Sequence, residues 1–185
     1  SNLSTAARAW FMFKNFDHEN VSILNGGYMK WTKEGKAVDN DIVTSMASHY
    51  SANKDETSIR NIDEVLCNID SQKEQVVDAR SAGRFNGTAP EPRPESRPGH
   101  IPGSYNVPFN VLINEDSTYK TPDQLKEQFD KAGVDLNKPI ITSCGSGVTA
   151  CVLLFTLDQI GHTQNALYDG SWSEWGCRTD TPIEK

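Results

Sequence analysis

Four cysteines, Cys67, Cys144, Cys151 and Cys177, are the first side chains to weigh as nucleophiles or metal ligands. They form no CxxC pair, and no His/Cys cluster has the spacing of a zinc site. Free thiols in a reducing compartment, cytoplasmic or mitochondrial, are the expectation. Cys144 differs from the other three in its surroundings. It follows the apolar run Pro139-Ile140-Ile141-Thr142-Ser143 and precedes Gly145-Ser146-Gly147-Val148-Thr149, which opens an apolar helix. A strand, a tight glycine loop and a helix N-terminus in that order make an anion site. The glycines let backbone N–H groups turn inward, and the helix dipole adds positive potential. Both effects stabilise a thiolate at Cys144 and so suit it to nucleophilic attack. Ser146 and Thr149 offer hydroxyls to the same place. Cys151, seven residues on, is expected in the core, and Cys67 and Cys177 are expected to take no part.

Two chemistries fit a thiolate in such a cradle. Phosphate-ester hydrolysis needs an arginine six residues after the cysteine to clamp phosphoryl oxygens, and that place is Ala150. Sulfur transfer, in which the thiolate takes up a sulfur and holds it as a persulfide, needs the N–H cradle and no arginine in the loop. A second cluster bears on the choice. Arg80, Arg84, Arg93 and Arg97 fall in one proline-rich stretch whose acids are Glu91 and Glu95. The chain as a whole carries 18 Lys and Arg against 25 Asp and Glu, a net charge of −7. A locally positive segment in an acidic chain is a candidate site for a carboxylate. The acidic balance argues against nucleic acid as a partner, and no apolar run is long enough to span a membrane.

The elements that must position these groups alternate. Helices are expected over Thr5–Phe16 with Ser4 as cap, over Tyr28–Glu34, Asn61–Ile69, the stretch after Thr121-Pro122, Val148–Ile160, and after Gly170-Ser171. Strands are expected at Val21–Leu24, Gln75–Ala79, Tyr105–Phe109, Pro139–Ser143 and Ala166–Tyr168. This alternation predicts an α/β fold with a parallel sheet. A shift of 144 residues maps Thr5, Ala6, His18, Gly26 and Trp31 onto Thr149, Ala150, His162, Gly170 and Trp175, with helix, turn and helix in register. The chain therefore reads as a helix-strand-helix remnant of one unit (1–39), a linker (40–57) and a complete second unit (58–185). The remnant's apolar residues Trp10, Phe11, Phe13 and Ile23 are expected to pack on the second unit or on another chain, or to cause aggregation.

The motifs in combination resemble the two-domain rhodanese superfamily, and within it the 3-mercaptopyruvate sulfurtransferases. They are Val77-Asp78-Ala79-Arg80, Gly83-Arg84-Phe85, Pro90-Glu91-Pro92-Arg93, Gly99-His100-Ile101-Pro102-Gly103, Cys144-Gly145-Ser146-Gly147-Val148-Thr149 and Asp169-Gly170-Ser171-Trp172. The resemblance implies a rhodanese-like parallel sheet flanked by helices, preceded by the last part of an inactive first domain that lends polar side chains to the site. It implies that Cys144 and Ser146 are catalytic, and that Arg84, Arg93, Gly145, Gly147, Val148 and Thr149 bind substrate. Thiosulfate enzymes of the superfamily carry basic residues after the cysteine, whereas Gly145-Ser146 are neutral. The donor implied is 3-mercaptopyruvate, and the acceptor a thiol such as thioredoxin or a small dithiol, or cyanide, with no metal or organic cofactor. A thiosulfate sulfurtransferase, or a non-catalytic sulfur carrier or regulatory module, is the alternative. His100, Asp78 and Arg80 are expected to be structural.

Overall fold

The computed structural model describes residues 3–185. Seven α-helices and five strands follow one another as α1 (Leu3–Asn15), α2 (Gly27–Lys33), β1 (Ile59–Arg60), α3 (Ile62–Ser71), β2 (Gln75–Asp78), α4 (Ala82–Phe85), β3 (Tyr105–Asn106), α5 (Pro122–Lys131), β4 (Ile140–Ser143), α6 (Ala150–Gln159), β5 (Asn165–Tyr168) and α7 (Ser171–Trp175). The strands make one parallel sheet in the order β1-β5-β4-β2-β3. Parallel strands require crossovers, and helices supply them on both faces.

The side-chain alternation of the strands divides the core in two. Val77, Ile140 and Leu167 point to one face, under α1, α5 and α6. Their neighbours Val76, Ile141 and Tyr168 point to the other, where α3 and α7 bring Val65, Trp172 and Trp175. Local signals set several boundaries. Asn61 caps α3 by accepting from the Glu64 N–H at 3.0 Å, while the Glu64 carboxylate accepts the Asn61 N–H at 2.7 Å. Gly133 and Gly161 follow α5 and α6 at φ of 81° and 80°, where a side chain would be strained.

Helix α6 is buried along its length, from Ala150 to Leu157, because α1 lies across its outer side. Leu3, Ala7, Trp10 and Phe11 recur at helical spacing and form the buried stripe of α1. Trp10 meets Phe155 edge-to-face with ring centroids 5.2 Å apart. Of the apolar residues singled out in the first segment, Trp10, Phe11 and Ile23 therefore pack on the second, whereas Phe13 is exposed, as are Met12, Phe16, Leu24 and Met29. The end of α1 is tied down as well: the Asn15 side-chain amide donates to the Asp55 carbonyl at 2.8 Å, and the Asp55 N–H donates to the Asn15 carbonyl at 2.8 Å. Between these anchors residues 38–54 form no regular element and are exposed.

Three sequence expectations need correction. Val21–Leu24 is not a strand, because among the described residues no neighbouring strand pairs with it; Val21 and Ile23 rest on the core instead. Ser4 is not a cap but a buried residue inside α1. The expected strand Tyr105–Phe109 pairs over two residues only and turns into a 3₁₀ helix at Phe109–Leu112. No described helix is long and apolar enough to cross a membrane.

The docking of α1 on α6 yields a stability prediction. Trp10→Ala should lower the unfolding free energy by about 3 kcal/mol through lost burial and the cavity left beside Phe155. Urea denaturation measures it, and a change below ~1 kcal/mol would mean that α1 is not part of the cooperative core.

Candidate active site

Strand β4 ends at Ser143, and Cys144 is the next residue, at the carboxyl end of the central strands where ligands of open α/β sheets are held. Cys144 is buried. The loop that follows is shaped by Gly147, at φ 77°. A Cβ there would also lie 2.4 Å from Asp169 Oδ1, so a side chain is excluded twice over.

The loop is fastened from below by a hydroxyl. The N–H groups of Cys144 and Gly147 each donate to Ser171 Oγ at 3.1 Å, and that hydroxyl donates to the Tyr168 carbonyl at 2.9 Å. Ser171 is fully buried and sits at φ 51°, an unusual conformation for a residue with a Cβ. Further bonds run from the Trp172 N–H to the Cys144 carbonyl at 2.9 Å and from the Ser173 N–H to the Gly145 carbonyl at 2.8 Å. The Ser173 hydroxyl also donates to the Gly145 carbonyl. With two N–H groups taken by Ser171, those of Gly145, Ser146, Val148 and Thr149 have no acceptor among the described residues. These are the donors left to receive an anion beside the sulfur.

The cleft above holds about 180 Å³ and is lined by Arg84, Glu91, Pro92, Arg93, Ser96, Gly145, Ser146 and Ser173. It brings together four of the residues singled out in the sequence, Arg84, Arg93, Gly145 and Ser146. Cys144, buried beneath the loop, and Gly147, Val148 and Thr149 are not in its lining. The arginines divide by role. Arg80 is fully buried: it bonds Asp78 Oδ2 at 2.8 Å, Glu91 Oε1 at 3.0 Å and the Gly99 carbonyl at 2.8 Å, and its guanidinium lies 4.3 Å from the Trp172 ring centroid. Arg97 donates to the carbonyls of Gly176, Trp175 and Thr181. Both hold loops in place. Arg84 spends Nε and Nη2 on Glu91, at 3.1 and 2.6 Å, and packs its guanidinium against Gly145. Arg93 is exposed at the rim and has no ion-pair partner among the described residues. It is the cation best placed to meet a carboxylate.

His100 bonds the Phe85 carbonyl through Nδ1 at 2.8 Å and stacks on Phe85, away from the cleft lining. Cys151 is buried in α6, with Sγ donating to the Gly147 carbonyl at 3.2 Å. Burial pushes its thiol up to about 12, so it stays neutral near pH 7. Cys67 is exposed on α3 and Cys177 half-buried after α7, both outside the cleft lining. No cluster of three or more His, Cys, Asp or Glu among the described residues could hold a metal ion.

Sequence reasoning did not assign Glu91, Ser171 or Arg8. The first two stood inside recognised motifs, but nothing local shows that Glu91 bridges two arginines or that Ser171 bridges two segments. Arg8 pairs with Asp169 from the far end of the chain, at 2.5 Å from Oδ1; no local pattern announces it.

Comparison with known proteins places the chain in a family. The rhodanese-like domain family matches residues 61–176. The 3-mercaptopyruvate sulfurtransferase of Mus musculus is 42% identical over 176 residues, 95% of this chain and 59% of the relative. The thiosulfate sulfurtransferase of Bos taurus is 40% identical over 171 residues, 92% of this chain and 58% of the relative. The crystal structure of SseA from Escherichia coli, described as a 3-mercaptopyruvate sulfotransferase, superposes with a TM-score of 0.79 at 40% identity, covering 94% of this chain and 64% of that one. The chain thus spans between 53% and 65% of the length of the curated relatives it matches.

Ser171 can be tested alone. Ser171→Ala leaves two loop N–H groups without their acceptor and should cost about 1–3 kcal/mol of stability. Ser171→Gly relieves the backbone conformation yet still lacks the hydroxyl, so it too should lose stability. Thermal unfolding with calorimetry distinguishes the outcomes; wild-type stability in both variants would show the hydroxyl to be dispensable.

Proposed function

The chain belongs to the rhodanese-like domain family, and from that premise we propose that it is a sulfurtransferase that moves sulfur from 3-mercaptopyruvate through a Cys144 persulfide to a thiol acceptor, releasing pyruvate. The observation that carries the reading is a buried cysteine at the head of a neutral N–H cradle, beside a cleft lined by Arg84 and Arg93.

Relatives of both donor classes are about equally similar, so identity alone does not choose between them. The placement of charge does. In thiosulfate the negative charge and the transferable sulfur share one small ion. In mercaptopyruvate the carboxylate is separated from the thiol by two carbons. Arg84 and Arg93 line the same cleft as the uncharged Gly145-Ser146, so a donor's carboxylate can be met by the arginines while the loop that holds the sulfur carries no full positive charge. Glu91 holds Arg84 in a fixed fork through Nε and Nη2, so little side-chain freedom is lost on binding.

The reaction has two halves. The carboxylate binds Arg93 and Arg84, and the thiol sulfur lies toward Cys144. The Cys144 thiolate attacks that sulfur. A sulfur–sulfur bond forms, the carbon–sulfur bond breaks, and its electron pair leaves on the enolate of pyruvate. The enolate takes a proton from the Ser146 hydroxyl or from water, and the proton that the new persulfide sheds as it ionises, originally the thiol proton of the donor, replaces it. The free N–H groups of Gly145, Ser146, Val148 and Thr149 stabilise the persulfide anion by preorganised donation. An acceptor thiolate, from reduced thioredoxin or a small dithiol, then attacks the outer sulfur and returns the Cys144 thiolate.

Intact-protein mass spectrometry after incubation with mercaptopyruvate should show the gain of one sulfur atom, reversed by dithiothreitol and absent in Cys144→Ser. Arg93→Ala should lower kcat/KM for mercaptopyruvate by about 10- to 100-fold, the worth of a charge-assisted bond, and affect thiosulfate less. Persulfide uptake without pyruvate turnover would make the protein a carrier instead. Pyruvate release by Cys144→Ser would remove the cysteine from the mechanism.

A further inference from the structure

The far side of the cysteine loop is held by a residue of the first helix. Arg8 lies on α1, and its guanidinium grips the Asp169 carboxylate at two points, Nη1 to Oδ1 at 2.5 Å and Nη2 to Oδ2 at 3.3 Å. This pair stands directly on Gly147: a Cβ built there would lie 2.4 Å from Asp169 Oδ1 and 3.4 Å from Arg8 Nη1. The same Nη1 is 4.0 Å from Cys151 Sγ, which itself bonds the Gly147 carbonyl at 3.2 Å. Asp169 also precedes the Gly170-Ser171 turn, whose hydroxyl receives the Cys144 and Gly147 N–H groups. One guanidinium thus bears on the loop, on its underlying thiol and on the turn that anchors it.

We propose that Arg8 is a positioning residue for sulfur transfer, which fixes Asp169 and Gly147 so that the open N–H groups of the loop stay aimed at the Cys144 sulfur. This rests on the sulfurtransferase reading given above. Arg8 is absent from the cleft lining, and the cleft cations are on α4 and the loop after it. Substrate binding should therefore be indifferent to Arg8, and turnover sensitive to it. The pair is partly open to water, with the Asp169 side chain 46% exposed, and such pairs add little to folding stability. A purely structural role would look different, since any loss of rate would then follow the loss of fold. The arrangement also makes the docking of α1 on α6 a condition for a fully formed loop.

Four proteins separate these cases: wild type, Arg8→Met, Arg8→Lys and Leu3→Ala. The last removes core packing from the same helix while leaving the ion pair. Arg8→Met should lower kcat with mercaptopyruvate by about 10- to 100-fold at a nearly unchanged KM and melting temperature, as expected for a misplaced reactive group. Arg8→Lys should recover part of the rate, because a single charge can still meet Asp169. Leu3→Ala should melt earlier yet keep its kcat at 25 °C. The rate of Cys144 alkylation by iodoacetamide, read by peptide mapping, should differ between Arg8→Met and wild type, and it needs no donor. An unchanged alkylation rate and kcat in Arg8→Met, or equal losses in Arg8→Met and Leu3→Ala, would overturn the assignment. Failure of wild type to take sulfur from any donor would instead overturn the sulfurtransferase reading, while the alkylation comparison would still decide the role of Arg8.

Discussion

The Ser171 hydroxyl sits where two N–H groups of the cysteine loop and one carbonyl of β5 converge, and the geometry of the site follows from that convergence. A loop between a strand and a helix has many ways to cross the sheet edge. Here two of its N–H groups share one acceptor, so the path of the chain from Cys144 to Gly147 is fixed. The N–H groups of Gly145, Ser146, Val148 and Thr149 are then left without an acceptor among the described residues. Gly145, Val148 and Thr149 are half-buried and Ser146 is exposed, so these donors beside the cysteine stay accessible, as a nest that receives an anion must be. The positive φ of Ser171 is part of the same arrangement, since local strain persists only where surrounding contacts over-determine it.

A second constraint is the division of positive charge. The arginine-rich stretch reads as one basic patch in the sequence, but the structure assigns its members separately. Glu91 is nearly inaccessible and holds both Arg80 and Arg84, and a buried carboxylate is tolerable only because two guanidinium groups share it. Arg80 and Arg97 bind backbone carbonyls, as loop staples do. Most of the apparent charge is thereby spent inside the protein. What faces the cleft is the rest of Arg84 and all of Arg93.

The sequence made legible what local chemistry determines. Cys144 with its glycines, the glycines that end α5 and α6, and the parallel alternation of strands and helices all follow from nearest-neighbour rules. Val21–Leu24 has strand composition and lacks a strand, because a strand exists only by pairing, and pairing is not a local property. Tyr105–Phe109 shortens for the same reason at the sheet edge. Glu91, Ser171 and Arg8 escaped because their roles are defined by partners at distances in sequence that no window spans. The internal repeat did carry long-range information. It related α1 to α6, and the two helices pack against each other.

The same repeat bears on which chemistry the loop can support. Ala150 occupies the place where a phosphoryl-binding loop needs an arginine, and it is fully buried at the start of α6, beneath the helix that α1 covers. A guanidinium there would have to displace core packing before it could reach the cleft, and burying it unpaired would be costly. The loop is therefore committed to backbone N–H and hydroxyl donors, with no full positive charge of its own. Backbone N–H groups carry partial charge, so they suit a diffuse, singly charged, polarisable anion better than a compact phosphoryl dianion. A persulfide is such an anion. Its outer sulfur still has to be given up to an acceptor, and a cradle without full positive charges holds it firmly enough to form and loosely enough to leave.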